Sequence, residues 1–292
     1  MCPREKMTRP QGVLDFGLYK RVLDEAVKLG ATQVTLENYG ESFLDPHIFE
    51  RAQRARSKGL SVYTVTNASL LDEEKCRRVL ELFDKVRISM YALTKGTYEK
   101  IHRGLDFDTV EKNVERLIGM RARTPKNGLK IDMYYLLLEE NAHEMQGFLK
   151  KYEKRVDGIS VWKPHNWANG RQYREARGSK ASCGRPFDGP LQVQWDGKVV
   201  PCCFDFDSRI VLGDLNRCSI EEVLRSDAYE ALRSAHRTLD LSEFPLCAVC
   251  DQLYKRSDVL VYSSIKSIKV GATYAAGFDL ERYREKSARC VN

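Results

Sequence analysis

The sequence predicts an α/β protein: a mostly parallel sheet curling toward a partial barrel, followed by a small cysteine-rich domain. Three observations carry that reading. Short β-branched runs alternate with helix-length amphipathic stretches through the first half. Polar residues with no packing role gather just after those runs. Six of the nine cysteines fall between Cys183 and Cys250.

The elements follow in order. Apolar residues at helical spacing open at Phe16 and run through Leu18, Tyr19, Val22, Leu23, Ala26 and Val27 to a stop at Gly30. The run 33–37 reads as a strand, 46–58 as a helix stopped by Gly59, and 60–65 as the next strand. A helix over 71–83, a strand over 86–90 and two helical stretches follow, the second over 109–120. A strand over 130–138, a helix over 144–155 and a strand over 159–162 complete the series. Strands separated by helices of this length make βαβ units and a parallel sheet, and the right-handed crossover curls successive units the same way.

Composition bounds the function. The 292 residues are 42% hydrophobic and 30% charged, enough for a full-sized core, with a length that suits one large domain and a small one. No apolar run reaches the roughly 18 residues of a membrane span, and the start shows no signal-peptide pattern, which points to the cytoplasm. The net charge of +7 is spread along solvated helix faces, the cluster Arg51, Arg54, Arg56 and Lys58 among them, and no basic run calls for nucleic acid. Nine cysteines in such a chain favour metal or redox chemistry over disulfides.

The unexplained polar residues sit at strand ends. Asn38-Tyr39-Gly40-Glu41 follows the first run, Thr66-Asn67 the second, Ser89 closes the third, and Lys163, His165 and Asn166 follow the last. Parallel barrels place their chemistry at these C-terminal ends. Each residue has a plain structural reading too: a turn at Gly40, a helix cap at Asn67, a satisfied core hydroxyl at Ser89. Four strand ends in agreement favour a site.

In that order and spacing the residues resemble the radical S-adenosylmethionine (SAM) superfamily. Met1-Cys2-Pro3-Arg4 resembles the end of its C-x-x-x-C-x-x-C loop, and Gly40-Glu41 its Gly-Gly-Glu-Pro segment. Thr66-Asn67-Ala68 resembles the Thr-Asn-Gly step, Val86-Arg87-Ile88-Ser89 the strand whose serine helps hold SAM, and 97–104 also has the family look. The resemblance implies a partial (β/α)6 barrel and SAM contacts from Gly40, Glu41, Thr66, Asn67, Ser89 and Arg103, although Arg103 also reads as a solvated helix end. It implies Cys2 as one ligand of a catalytic [4Fe–4S] cluster. The first strand and the first two cysteines of the loop are not in this sequence, which implies a chain that begins inside the motif or a form that is not catalytic; truncation is the favoured expectation.

The cysteine-rich region is similar to the SPASM or twitch domains appended to such barrels. Cys183, the Trp195-Asp196-Gly197 turn leading to Cys202-Cys203, Gly213-Asp214-Leu215 and the pair Cys247-Ala248-Val249-Cys250 carry that likeness. Cys183, Cys202, Cys247 and Cys250 supply the four thiolates of one auxiliary [4Fe–4S] cluster. The Asp-Gly step makes a hairpin that returns a strand to Cys202. Cys203, next on that strand, would face the opposite way. Four thiolates also satisfy a structural zinc; with a barrel ahead of them, iron–sulfur is favoured. Cys203 and Cys218 remain alternative ligands, with Cys202 expected over Cys203; Cys76 reads as helix packing, and Cys290 as a free thiol.

The implied organisation is a barrel over 1–167, a linker over 168–182, the auxiliary domain over 183–260 and a tail from 261. The implied activity is cleavage of SAM to a 5′-deoxyadenosyl radical that takes hydrogen from a peptide, sugar-like alcohol or cofactor precursor. That makes it an oxidoreductase- or maturase-type enzyme served by an electron donor such as a flavodoxin or ferredoxin. Lys163, His165 and Asn166 stand on the substrate side. The alternatives are a non-catalytic zinc- or cluster-binding module on a barrel scaffold and a nucleic-acid-modifying relative.

Overall fold

The protein was analysed as a computed structural model that describes residues 2–124, 128–175, 178–255, 258–265, 278–281 and 283. Its described residues divide into two compact units, one built from the 19–163 and 260–265 segments and the other from 2–18, 164–259, 278–281 and 283.

The larger unit alternates as the sequence does. Helix α1 (Phe16–Lys28) leads to β1 (Gln33–Thr35), α2 (Ile48–Ser57), β2 (Ser61–Thr66), α3 (Glu73–Leu82) and β3 (Lys85–Ser89). Two helices, α4 (Lys95–Ile101) and α5 (Phe107–Ala122), precede β4 (Lys130–Leu136), α6 (Met145–Tyr152) and β5 (Gly158–Trp162). The side chains of Asp72 and Asp106 cap α3 and α5 by accepting from the Lys75 and Thr109 backbone N–H groups. Strands β1 to β5 pair in sequence order, all parallel.

The two faces of this sheet differ. Val62, Val86, Ile88, Ile131, Met133 and Ile159 form one continuous face and are fully buried. Tyr63, Arg87, Ser89, Tyr134, Ser160 and Trp162 alternate with them and are, apart from Ser160, only half-buried. A sheet that is apolar on one face and polar on the other is the condition for a barrel wall with a working interior.

The smaller unit begins with the N-terminal segment. Arg171 donates to the Cys2 carbonyl at 3.0 Å, Lys6 to the Gly170 carbonyl at 2.8 Å, and Trp195 Nε1 to the Pro10 carbonyl at 3.0 Å. A short helix α7 (Arg185–Asp188) precedes an antiparallel sheet of β6 (Gln192–Val193), β7 (Lys198–Val200) and β8 (Gly213–Asp214). Helices α8 (Ile220–Leu224), α9 (Asp227–Thr238) and α10 (Pro245–Ala248) follow, and Ser219 with Glu222 makes a full capping box on α8.

Four expectations change. The first strand ends at Thr35, not at 37, although Leu36 N–H still reaches the Tyr63 carbonyl at 2.8 Å. Leu260–Ser263 forms β9, which pairs antiparallel with β5 at the sheet edge. Arg51 is not a surface residue: it is 3% exposed, pairs with Asp45 at 2.7 Å and lies over the Tyr19 ring. Cys203 does not alternate on a strand, because β7 ends at Val200 and Cys202-Cys203 turns away beyond it.

Candidate functional site

The ends of β1 and β2 are joined by Glu41. Its carboxylate accepts from Thr66 Oγ1 at 2.6 Å, from the Asn67 backbone N–H at 2.8 Å and from the Phe43 backbone N–H at 3.3 Å. Thr66 in turn accepts from the Ala68 N–H at 2.9 Å, and Asn67 Oδ1 accepts from the Ser69 N–H at 2.9 Å. Burial pushes the Glu41 carboxyl above the usual carboxylate range despite these donors. Glu41 and Thr66 therefore shape the site by holding two loops together. What they leave open to a ligand is the Gly40 backbone, exposed at φ 140°, and the Ser89 hydroxyl, which has no protein partner among the described residues.

Next to this junction is an aromatic stack that sequence reasoning missed. His102 stacks on Tyr98 at 4.5 Å between ring centroids and lies 4.9 Å from Tyr91. Enclosure lowers the imidazole to about 4, so it is neutral at pH 7, and Tyr98 is close enough to Glu41 to feel its charge. Arg103, the adjacent candidate, is exposed and makes no hydrogen bond or ion pair with a described residue.

The inner face below the strand ends carries further charge. Arg87 lies over the Tyr134 ring at 5.6 Å, and its Nε is buried without a hydrogen-bond partner. Glu37 feels Arg87, yet enclosure by protein raises its carboxyl even though water reaches the side chain. Arg87 shares the alternation of Ser89, which is the signal that would have found it in the sequence.

The three substrate-side candidates have different surroundings. Lys163 follows β5 and is half-buried in the larger unit. His165 belongs to the smaller unit, its Nδ1 accepting from the Trp167 N–H at 3.2 Å and its ring against Trp167 and Phe204 at 4.3 and 4.2 Å. Burial, with Arg174 and Arg185 nearby, lowers it to about 3. Asn166 is 8% exposed and acts as a clamp: its Oδ1 accepts from the Tyr173 and Arg174 N–H groups, and its Nδ2 donates to the Arg174 carbonyl. Asp251 completes the clamp by accepting from the Asn166 N–H at 3.0 Å and Arg174 Nε at 2.6 Å.

The smaller unit also gathers thiols. Cys202 feels the charges of Cys183 and Cys203, and Cys247 and Cys250 each feel Cys202 and Cys183. Burial raises all four, Cys202 to about 12, while Arg185 opposes the rise at Cys183 and Cys202. Arg185 is 8% exposed and lies over the Phe204 ring at 5.0 Å. Four thiols near enough to feel one another's charge, two of them beside the buried Arg185 guanidinium, fit a group that binds thiolates and carries negative charge. Among the described residues, no group of three or more His, Cys, Asp or Glu is arranged to hold a single metal ion. Cys218 and Cys76 stand apart; Cys76 is fully buried in α3 with its thiol near the Leu71 carbonyl. Cys2 is half-buried, with burial raising its thiol. Cys290 lies outside the described residues.

Comparison with known proteins adds the following. The sequence model of the Radical SAM superfamily matches residues 1–152, and that of the SPASM iron-sulfur cluster-binding domain matches residues 183–251. The tungsten-containing aldehyde ferredoxin oxidoreductase cofactor-modifying protein of Pyrococcus furiosus is 22% identical over 236 residues, 69% of this chain and 66% of that protein, just under two thirds of its length. Native anSMEcpe with bound AdoMet superposes with a TM-score of 0.59 at 14% identity, covering 97% of this chain and 93% of that one. BtrN in complex with AdoMet and 2-DOIA gives a TM-score of 0.54 at 18% identity over 85% of each chain. Both structures share the fold described above. No helix among the described residues is long and apolar enough to cross a membrane.

Proposed function

The chain belongs to the radical SAM superfamily and carries a SPASM domain, and from that premise we propose that it binds SAM at the ends of β1 to β3. Its reaction is of the oxidoreductase or maturase type, on a small-molecule or peptide substrate. The observation that carries this reading is the Glu41 bridge to Thr66 and Asn67, which fixes two of the family's motif segments as one rigid lip. Gly40 then offers its backbone to the SAM amino group, and Ser89 its hydroxyl to the ribose or carboxylate. Cys2 is one of the three thiols that the family's SAM-cleaving cluster takes, and the sequence shows no second cysteine before β1. Held by a complete ligand set, such a cluster would supply the electron for SAM cleavage. The protein's own part is to orient SAM and keep water from the radical's path.

In the smaller unit, Cys183, Cys202, Cys247 and Cys250 would hold one auxiliary [4Fe–4S] cluster, with Arg185 offsetting its charge. An external one-electron carrier of the flavodoxin or ferredoxin kind completes the system. Solved relatives were captured with AdoMet and 2-DOIA, and with AdoMet and the Kp18Cys peptide, which supports both substrate classes.

The test is calorimetric titration of SAM into the full chain, a readout that does not depend on the cleaving cluster. Saturable binding, weakened about tenfold or more in Ser89→Ala, supports the reading. No saturable binding to the folded chain contradicts it.

A further inference from the structure

We propose that Arg87 is an anchor on the inner face of the parallel sheet for an anionic group of the substrate, a carboxylate or a phosphate. The inference deepens the reading of that face as the SAM and substrate face and rests on it.

Position comes first. Arg87 is two residues before Ser89 on β3, so both side chains leave the same face, with Arg87 about 7 Å further from the strand ends. One step deeper still, Lys85 reaches across to Asp132 at 3.3 Å, and Asp132 is 4% exposed. The deepest charges on this face are thus a closed pair. Ser89, the shallowest of the three positions, is open. Arg87 lies between them.

The surroundings of Arg87 are those of an unfilled cation site. Asp132 is its register partner on β4, but that carboxylate already faces Lys85. On β2 its register partner is Val65, which offers no acceptor side chain. The guanidinium lies on the Tyr134 ring at 5.6 Å, its Nε is buried without an acceptor, and no carboxylate of a described residue comes within ion-pair distance. Glu37 is near enough to feel Arg87, yet makes no hydrogen bond and is held toward its neutral form. The guanidinium is half-buried, so its outer nitrogens face open space while the sheltered Nε lacks an acceptor, an unmet donor that a ligand oxygen would satisfy. The planar fork of arginine suits two oxygens of a carboxylate or phosphate, and the ring beneath it sets the fork's plane. Glu37 feels the Arg87 charge and so competes with an incoming anion for it.

The test follows the Nε–Hε resonance of Arg87 in ¹⁵N-labelled full-length protein, identified by its absence in Arg87→Lys. The probes are succinate and inorganic phosphate, with neutral succinamide as control. A saturable shift is expected with at least one anion in the millimolar range, and none with succinamide. The stronger of the two anions identifies the substrate group as a carboxylate or a phosphate. Arg87→Gln should weaken binding about tenfold or more, read by calorimetry. Glu37→Gln should tighten it about threefold, a gain that misfolding cannot produce. No saturable shift with either anion would overturn the proposal. So would weaker binding in Glu37→Gln, because Glu37 would then be helping to hold the anion. The readout needs neither SAM nor a cluster. Anion binding can therefore fail while SAM binding stands, and the reverse.

Discussion

The carboxylate of Glu41 and the hydroxyl of Thr66 are 2.6 Å apart, and through that bond the loop after β1 and the loop after β2 move as one. Thr66 is 2% exposed, so the bond is sheltered from competing water. Glu41→Ala leaves the Asn67 N–H and the Thr66 hydroxyl without their acceptor and should cost about 1–3 kcal/mol in chemical denaturation.

The same contact gives a pH dependence with a definite sign. Burial raises the Glu41 carboxyl above its unfolded value, so the folded state holds this proton more tightly. Its contribution to stability is full below the unfolded pKa of about 4.3 and is lost as pH rises through the raised folded value. Wild type should therefore lose stability relative to Glu41→Gln as pH rises above about 4.3. A difference that grows in the opposite direction would contradict the assignment.

Asp251 and Arg174 make the most buried ion pair described in the smaller unit, with side chains 1% and 8% exposed. Asp251→Asn removes the charge from a guanidinium that cannot reach water and weakens the clamp on the Asn166 backbone. A loss of about 3–5 kcal/mol in denaturant unfolding is expected. Replacing Arg174 by Met in the same chain should recover part of it.

Gly197 turns the hairpin that leads to Cys202. Its φ is +86°, and a Cβ there would lie 2.5 Å from the Asn216 amide nitrogen, which itself bonds the Asp196 carbonyl at 2.8 Å. Gly197→Ala should cost about 1–2 kcal/mol and lower the iron bound per chain, measured after identical anaerobic reconstitution.

Much of this was written locally. The β-branched runs and the glycine stops at Gly30 and Gly59 marked the alternation of strands and helices, because period and helix termination are properties of neighbouring residues. The strand-end residues Gly40, Glu41, Thr66, Asn67 and Ser89 were legible for the same reason. Strand β9 was not, since Leu260–Ser263 pairs with residues about a hundred positions earlier and its own composition says nothing of that partner. Asn166 looked like a substrate contact because its clamp depends on Asp251, 85 residues away. Arg51 looked solvated because Asp45 and the Tyr19 ring, which allow its burial, lie on separate segments. Arg87 was passed over because the motif drew attention to Ser89, although strict alternation put both on one face.

The central claim is that the thiols of the smaller unit hold an iron–sulfur cluster. The direct measurement is anaerobic iron and sulfide analysis with EPR on this chain, on Cys218→Ala and on the Cys247→Ala/Cys250→Ala double variant. The account predicts about four irons and four sulfides in the parent and in Cys218→Ala, and their loss in the double variant. Stoichiometric zinc without sulfide after anaerobic reconstitution with iron, or full iron retained in the double variant, would contradict it.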